Sequence, residues 1–562
     1  MSQSFVPAAS ISRRTFVGGA LATAAAIALA GGAQGAWADE GAADGAVSGG
    51  TFNFYINNPV SIDPYNVQED QGMQVCKCLF DALTTYDYAT QQLVGKAATS
   101  WEANDDATEF TFHLVEGATF HNGDPVTAAS FAYAWNRLVS PNTNPDNPSA
   151  VSYHLSMVDG YDDVLAGTDG AELNIECPDD YTLVVHLNMS YADFPYVVSH
   201  LATAPIPESA ASDLSAFTRA PVGNGAFQMQ GEWMDGQYIQ VVRNDDYWGD
   251  KPYIDGIIFQ IYAEEDTGWF DFQAGNLDFT IIPSGHYDEA KQLYGEAPDG
   301  YTSNPGQQGL FGDESSIYYL ICNNNDEVMS NRELRIAISY AINRQSICDT
   351  VLQGTRSPAT NILAAGVPGT EEGAWAYATP EGDADLAAQY FDEAGYPADE
   401  SGNRNLSITL SYNSGAGNED IMQMVQSQLA ACGVTAELSM QEWAAYIDAL
   451  QSGDYQIGRL GWTIQVPYPD AVLQPMFYTG AGDNNSFYSN PDFDAAIDAA
   501  RSITDYDERI AAYQEANAIV AEDFPVIPMF YYRHTYVTSS RVNNFYYNPS
   551  GYSTLTKCWL SA

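Results

Sequence analysis

Phe120-His121-Asn122-Gly123-Asp124-Pro125-Val126-Thr127-Ala128, followed by Phe131-Ala132-Tyr133-Ala134-Trp135-Asn136-Arg137, is the stretch on which the reading of the fold turns. Asn122-Gly123 marks a tight turn, where glycine accepts the positive φ that other residues resist. Thr127 then stands where a helix N-cap belongs, and Phe131, Trp135 and Leu138 recur at the spacing of one helical face over 128–139. Residues 110–115 just upstream have strand composition, so the segment reads as strand, turn and amphipathic helix.

Working outward, further strands are predicted at 51–56, 182–187, 238–243, 257–262 and 317–322. From about residue 316 strands and helices alternate regularly, the pattern of an α/β lobe. Ser330-x-x-Glu333 reads as a capping box ahead of Leu334, Ile338 and Ile342, and Ile421, Val425 and Leu429 line a helix from Asn418 to Cys432 that stops at Gly433. Strands at 434–440 and 455–460 follow, then helices at 491–502, opened by Pro491, and 507–522. A chain of 562 residues exceeds what one hydrophobic core serves, so two or three lobes are expected. No internal repeat interrupts the pattern after residue 50.

The N-terminus reads as an export address. Ser12-Arg13-Arg14-Thr15-Phe16 is a twin-arginine signature, an apolar run follows from Val17 to Ala30, and Ala36-Trp37-Ala38 is an A-x-A cleavage site, with retention as an anchor the alternative. No Cys lies near the cleavage point, so a lipoprotein anchor is not expected. Residues 39–50, rich in Gly, Ala and acids, read as a flexible leader, with order beginning at Thr51.

Lys and Arg number 20 against 73 Asp and Glu, with no basic stripe to follow a phosphate backbone, which excludes nucleic-acid binding. The seven Cys, at 76, 78, 177, 322, 348, 432 and 558, show no C-x-x-C pair and no His at metal-ligand spacing, so no zinc site is expected. Their odd number leaves at least one thiol unpaired, and disulfides among the others stay open. Cys76 and Cys78, two apart in a helical stretch, point to different faces. G-x-S-x-G, H-E-x-x-H, P-loop and G-x-G-x-x-G signatures are absent. Carboxylates are abundant enough that a glycosidase pair is not eliminated by spacing alone.

Four blocks, in order, resemble the oligopeptide-binding proteins of bacterial ABC importers, the extracellular solute-binding proteins of family 5. The first is Phe112-His113-Leu114 through the opening stretch to Arg137. Pro221-Val222-Gly223-Asn224-Gly225-Ala226-Phe227 with Arg243-Asn244-Asp245-Asp246-Tyr247-Trp248 is similar to a second, and Arg335-Ile336-Ala337-Ile338-Ser339-Tyr340-Ala341-Ile342-Asn343-Arg344 to a third. Ala521-Glu522-Asp523-Phe524-Pro525-Val526-Ile527-Pro528 resembles the fourth. Within the second block, Gly-Asn-Gly reads as a tight turn needing positive φ.

The resemblance implies an α/β, two-lobe periplasmic-binding-protein type II (venus-flytrap) fold with an inserted domain. Its expected boundaries are a signal peptide over 1–38, the leader 39–50, lobe I from 51–86, 206–313 and 534–562, an inserted domain II over 87–205, and lobe III over 314–533. It also implies a non-enzymatic, extracytoplasmic clamp, a monomer without a cofactor, that closes on a small solute and delivers it to an ABC transporter permease. An oligopeptide is the expected ligand; a sugar, nickel chelate or haem, and behind these hydrolase activity, are the alternatives.

In the family the ligand-holding strand and its preceding helix look like Gln441-Glu442-Trp443 through Tyr455 and Arg459-Leu460-Gly461-Trp462-Thr463. Main-chain groups near Gly461 and Thr463 are then expected to hold an extended peptide as an added strand. Trp443 and Trp462 would wall its side-chain pockets, or else belong to interdomain core. Arg459 would take a ligand carboxylate, or else pair with a core Asp. Family peptide binders carry an Asp three residues past the cleft Trp to neutralise the ligand's α-amine, and Gln465 stands there instead. Asp470, in Pro467-Tyr468-Pro469-Asp470, is the nearest substitute if it is not simply a turn residue. Tyr153 and the loop Gln68 to Gln71 are expected to touch the ligand from the opposite side.

Overall fold

A computed structural model describes residues 45–561 except 68, 416 and 465. The expected signal peptide, 1–38, and most of the expected leader, 39–50, lie outside these residues. Order begins before Thr51: Gly49 N–H reaches Tyr253 O at 2.8 Å, and Gly50 N–H reaches the Asp255 carboxylate at 2.9 Å.

Three sheets carry the architecture. The largest has seven strands in the order Gly309–Leu310, Tyr536–Thr538, Phe279–Ile281, Thr51–Ile56, Gly256–Ile261, Tyr238–Arg243 and Phe227–Met229. At its centre Thr51–Ile56 runs parallel to Gly256–Ile261, burying Phe52, Phe54, Ile257 and Phe259. A four-stranded antiparallel sheet orders Ala98–Ala103, Glu109–Leu114, Thr182–His186 and Ile175–Asp179. The third has six strands: Arg356–Pro358, Val526–Arg533, Asp313–Cys322, Ile457–Thr463, Ser407–Asn413 and Thr435–Gln441. The chain enters this last lobe on Asp313–Cys322 and leaves on Val526–Arg533, and these two strands are antiparallel neighbours. The first two sheets share one continuous hydrophobic core, whereas the third has its own. This is the mixed α/β, two-lobe architecture with an inserted domain. No helix among the described residues is long and apolar enough to cross a membrane.

The opening stretch forms the predicted turn and helix. Gly123 has φ +88°, and Ala128–Val139 is helical behind Thr127, whose N–H meets the Ser130 hydroxyl at 3.2 Å. Phe131, Trp135 and Leu138 are buried, with Trp135 Nε1 donating to Thr203 O at 2.8 Å. His121 fastens the turn to the second block: its N–H donates to Gly223 O at 2.8 Å, and its Nδ1 accepts from Gly223 N–H at 3.1 Å. Gly223 and Gly225 do not take positive φ, contrary to the reading of a turn. They are needed because a Cβ would lie 2.0 Å from Leu79 O at Gly223 and 2.5 Å from Leu79 C at Gly225. The third and fourth blocks also meet: Arg335 donates to the carbonyls of Phe524 and Asp523, and Arg344 to that of Pro528.

Two local expectations change. The helix Arg332–Ala341 is capped by Asn331, whose Oδ1 accepts from Leu334 N–H at 3.2 Å, while Ser330 turns back to Glu327 O. All seven cysteines are unbonded thiols, and Cys76, Cys78, Cys322, Cys348 and Cys558 are buried.

Candidate functional site

The strand Ile457–Thr463 is the spine of the site. One side pairs along its whole length with Asp313–Cys322, from Ile457 opposite Cys322 to Thr463 opposite Ser316. The other side meets Ser407–Asn413 only at Ile457 and Gly458. From Arg459 onward this side is an unpaired edge. In an antiparallel ladder, alternate residues send both main-chain groups to the same side. Ile464 N–H reaches inward to Ser315 O at 2.8 Å. Arg459 turns outward, its N–H and C=O both meeting the Tyr446 hydroxyl, at 2.7 and 2.8 Å. By that alternation Gly461 and Thr463 also face outward; both are exposed.

A cavity of about 600 Å³ opens against this edge, between residues 461–483 of the six-stranded lobe and residues 153–157 and 189–197 of the inserted domain. Gly461, Trp462, Thr463, Asp470 and Tyr153 all line it. Trp462 is fixed by its Nε1, which donates to Ala471 O at 3.0 Å. Tyr153 stands at the rim, 56% exposed, beside His154. His154 Nε2 is buried without a partner, and burial, then the His200 ring stacked at 4.0 Å, push its pKa well below the ordinary range.

Trp443 and Arg459 lie outside that cavity, so Trp443 and Trp462 do not wall one pocket. The pleat explains this: neighbouring positions along a strand face opposite ways, so Trp462 points away from the face shared by Arg459, Gly461 and Thr463. On that face the Arg459 guanidinium lies 5.5 Å from the Tyr318 ring centre and 6.0 Å from that of Trp443. Arg459 has no ion pair among the described residues, and its Nε is buried without a hydrogen-bond partner. The expected alternative, an arginine spent on a core aspartate, is therefore not what stands here.

Asp470 is corrected as a spare counter-charge. It opens the helix Asp470–Phe477, buried, and Arg501 grips both its oxygens at 3.0 and 2.8 Å while the Tyr191 hydroxyl donates at 2.9 Å. Gln465 and Gln68 lie outside the described residues. Asp70, within the expected contact segment, opens the helix Asp70–Leu79 and lies against the turn at Gly551, where a built Cβ would come 3.7 Å from its carboxyl carbon. Glu314 flanks the same turn, since its neighbour Ser315 donates N–H to Pro549 O at 2.6 Å. Burial, then the Asp70 charge, push the Glu314 carboxyl up to about 7; burial, then Glu69, push Asp70 up to about 6. Sequence reasoning missed Glu314, Tyr318 and Arg356, because nothing local separates them from an ordinary strand. No group of three His, Cys, Asp or Glu among the described residues is placed to hold a metal.

The profile described as "Bacterial extracellular solute-binding proteins, family 5 Middle" matches residues 92–484. The oligopeptide-binding protein OppA of Bacillus subtilis (strain 168) is 29% identical over 498 residues, covering 87% of this chain and 88% of its own length. The periplasmic oligopeptide-binding protein OppA of Haemophilus influenzae is 30% identical over 501 residues, covering 85% of this chain and 87% of its own. Among solved structures, the unliganded open form of the murein tripeptide-binding protein MppA superimposes with a TM-score of 0.79 at 24% identity, covering 92% of this chain and 99% of that one. With the matched residues spanning most of the chain, and the fold agreeing, the protein belongs to the bacterial extracellular solute-binding proteins of family 5.

Proposed function

We propose that the protein captures short peptides between its lobes, without turnover, and presents them to the permease of an ABC importer. The observation that carries this is the unpaired main-chain edge at Gly461 and Thr463 beside the cavity. An extended peptide added there gains hydrogen bonds that do not depend on its sequence, while roomy pockets receive its side chains. Arg459, with no carboxylate partner of its own, holds the ligand's carboxylate through charge-assisted bonds. Because Asp470 is spent on Arg501, the α-amine finds its counter-charge at Asp70 and Glu314, which come together at the turn 549–551 from different lobes. The names of the relatives, oligopeptide-binding proteins, support the peptide reading.

The moving bodies in this reading are lobe I (51–86, 206–313, 534–562) together with the inserted domain (87–205), against lobe III (314–533). The shared core of the first two supports that division. The protein acts as an extracytoplasmic monomer reached by the twin-arginine route, with residues 1–38 as the signal.

A melting screen with short peptides, oligosaccharides, haem and nickel chelates tests the ligand class. A peptide at about 100 times its Kd should add roughly 2.7 kcal/mol. The bound peptide should be recovered intact by mass spectrometry. Stabilisation by non-peptides alone, or cleavage of the bound peptide, would overturn the reading.

A further inference from the structure

Among the described residues of so acidic a chain, the arginines are nearly all engaged. Arg137, Arg219, Arg243, Arg332, Arg404, Arg501, Arg509, Arg533 and Arg541 each have a carboxylate within ion-pair distance. Arg335 and Arg344 spend their guanidinium groups mainly on main-chain carbonyls. Arg356 and Arg459 do neither: Arg356 makes one hydrogen bond, to the carbonyl of Thr355, and neither has an ion pair among the described residues.

These two sit on one face of the six-stranded sheet. Arg356 pairs with Tyr532 across the ladder, and its guanidinium lies 3.9 Å from the centre of that ring. Arg459 leans over Tyr318 from the other side. Between them is Gly461, opposite Tyr318 in register, where a Cβ would come within 3.3 Å of the Tyr532 hydroxyl. The Tyr318 hydroxyl is buried without a hydrogen-bond partner in a residue only 3% exposed. Burial raises its pKa, and the Arg459 and Arg356 charges both act against that rise. A planar guanidinium resting on a ring keeps its N–H edge free for a planar oxyanion. Arg356 acts on the Glu314 carboxyl, yet the two make no ion pair among the described residues.

We propose that Arg356, with the Tyr318 hydroxyl, forms a second anion subsite beside Arg459, so that the cleft selects peptides bearing an acidic side chain as well as a terminal carboxylate. This rests on the peptide reading above, and the experiment separates the two. Calorimetric titration of the full chain compares Ala-Glu-Ala, Ala-Gln-Ala and glutarate, a dicarboxylate without peptide bonds. Ala-Glu-Ala should bind about tenfold tighter than Ala-Gln-Ala or better. Arg356→Gln should erase that difference while leaving Ala-Gln-Ala unchanged, and Arg356→Lys, which keeps the charge without the planar stack, should retain part of it. Peptides that bind without preference for Glu, or a preference that survives Arg356→Gln, overturn the subsite and leave the peptide reading standing. Glutarate binding that depends on Arg356 while both peptides fail would support the subsite and overturn the peptide reading. Failure of all three ligands overturns the subsite.

Discussion

Asp193 and Asp470 hold the inserted domain and lobe III together rather than anything from outside. Asp193 accepts from Arg509 Nε at 2.8 Å and from the Tyr513 hydroxyl at 2.6 Å; Asp470 is gripped by Arg501 and by Tyr191. Arg501→Ala strands a buried carboxylate, and a loss of about 3–5 kcal/mol is expected in urea unfolding. A loss below about 1 kcal/mol would mean that water reaches Asp470. Glu314 gives a pH signature. Its folded pKa, about 7, exceeds the ordinary 4.5, so its contribution is fully present below about pH 4.5 and is lost as pH rises through about 7. Glu314→Gln should therefore match the parent's melting temperature near pH 4.5 and exceed it near pH 8; a constant difference across that range would assign the titration elsewhere. Arg459 entered the reading only through the resemblance of its strand to the family's ligand-holding strand. Asp470 was misjudged because a charge shows in the sequence while its partner, 31 residues on, does not.

Elements were legible wherever apolar spacing marked them, as in the helix behind Thr127 and the strand at 51–56. The strand Asp313–Cys322 starts four residues earlier than its apolar run, because pairing with neighbouring strands extends it through Asp313-Glu314-Ser315-Ser316. The cap at Asn331 displaced Ser330 because adjacent residues compete for the same N–H groups, and only the chain's direction of entry decides between them. The free edge of Ile457–Thr463 was expected only through the resemblance, since register is a property of two strands and does not show in one. At this scale Gly461→Val should lower peptide affinity by about tenfold with little change in melting, because its branches would fill the face that a guest strand crosses. Unchanged affinity would move the binding edge elsewhere. Gly223→Ala should instead destabilise by about 3 kcal/mol or more, since the rigid Leu79 backbone blocks the new methyl.

At the scale of the whole molecule, the contacts between the parts are concentrated in a few places. Both chain crossings into lobe III are neighbouring strands, and Tyr86, Tyr196 and Val466 form a small apolar cluster where lobe I, the inserted domain and that lobe meet. Lobe closure about this region should appear in solution scattering as a smaller radius of gyration once a bound peptide is added; an unchanged radius would mean that binding does not close the cleft. The unbonded cysteines have their own consequence. Nothing in this fold waits for an oxidant, so dithiothreitol should leave its unfolding curve where it is, and the chain can finish folding as well in a reducing cytoplasm as in an oxidising exterior.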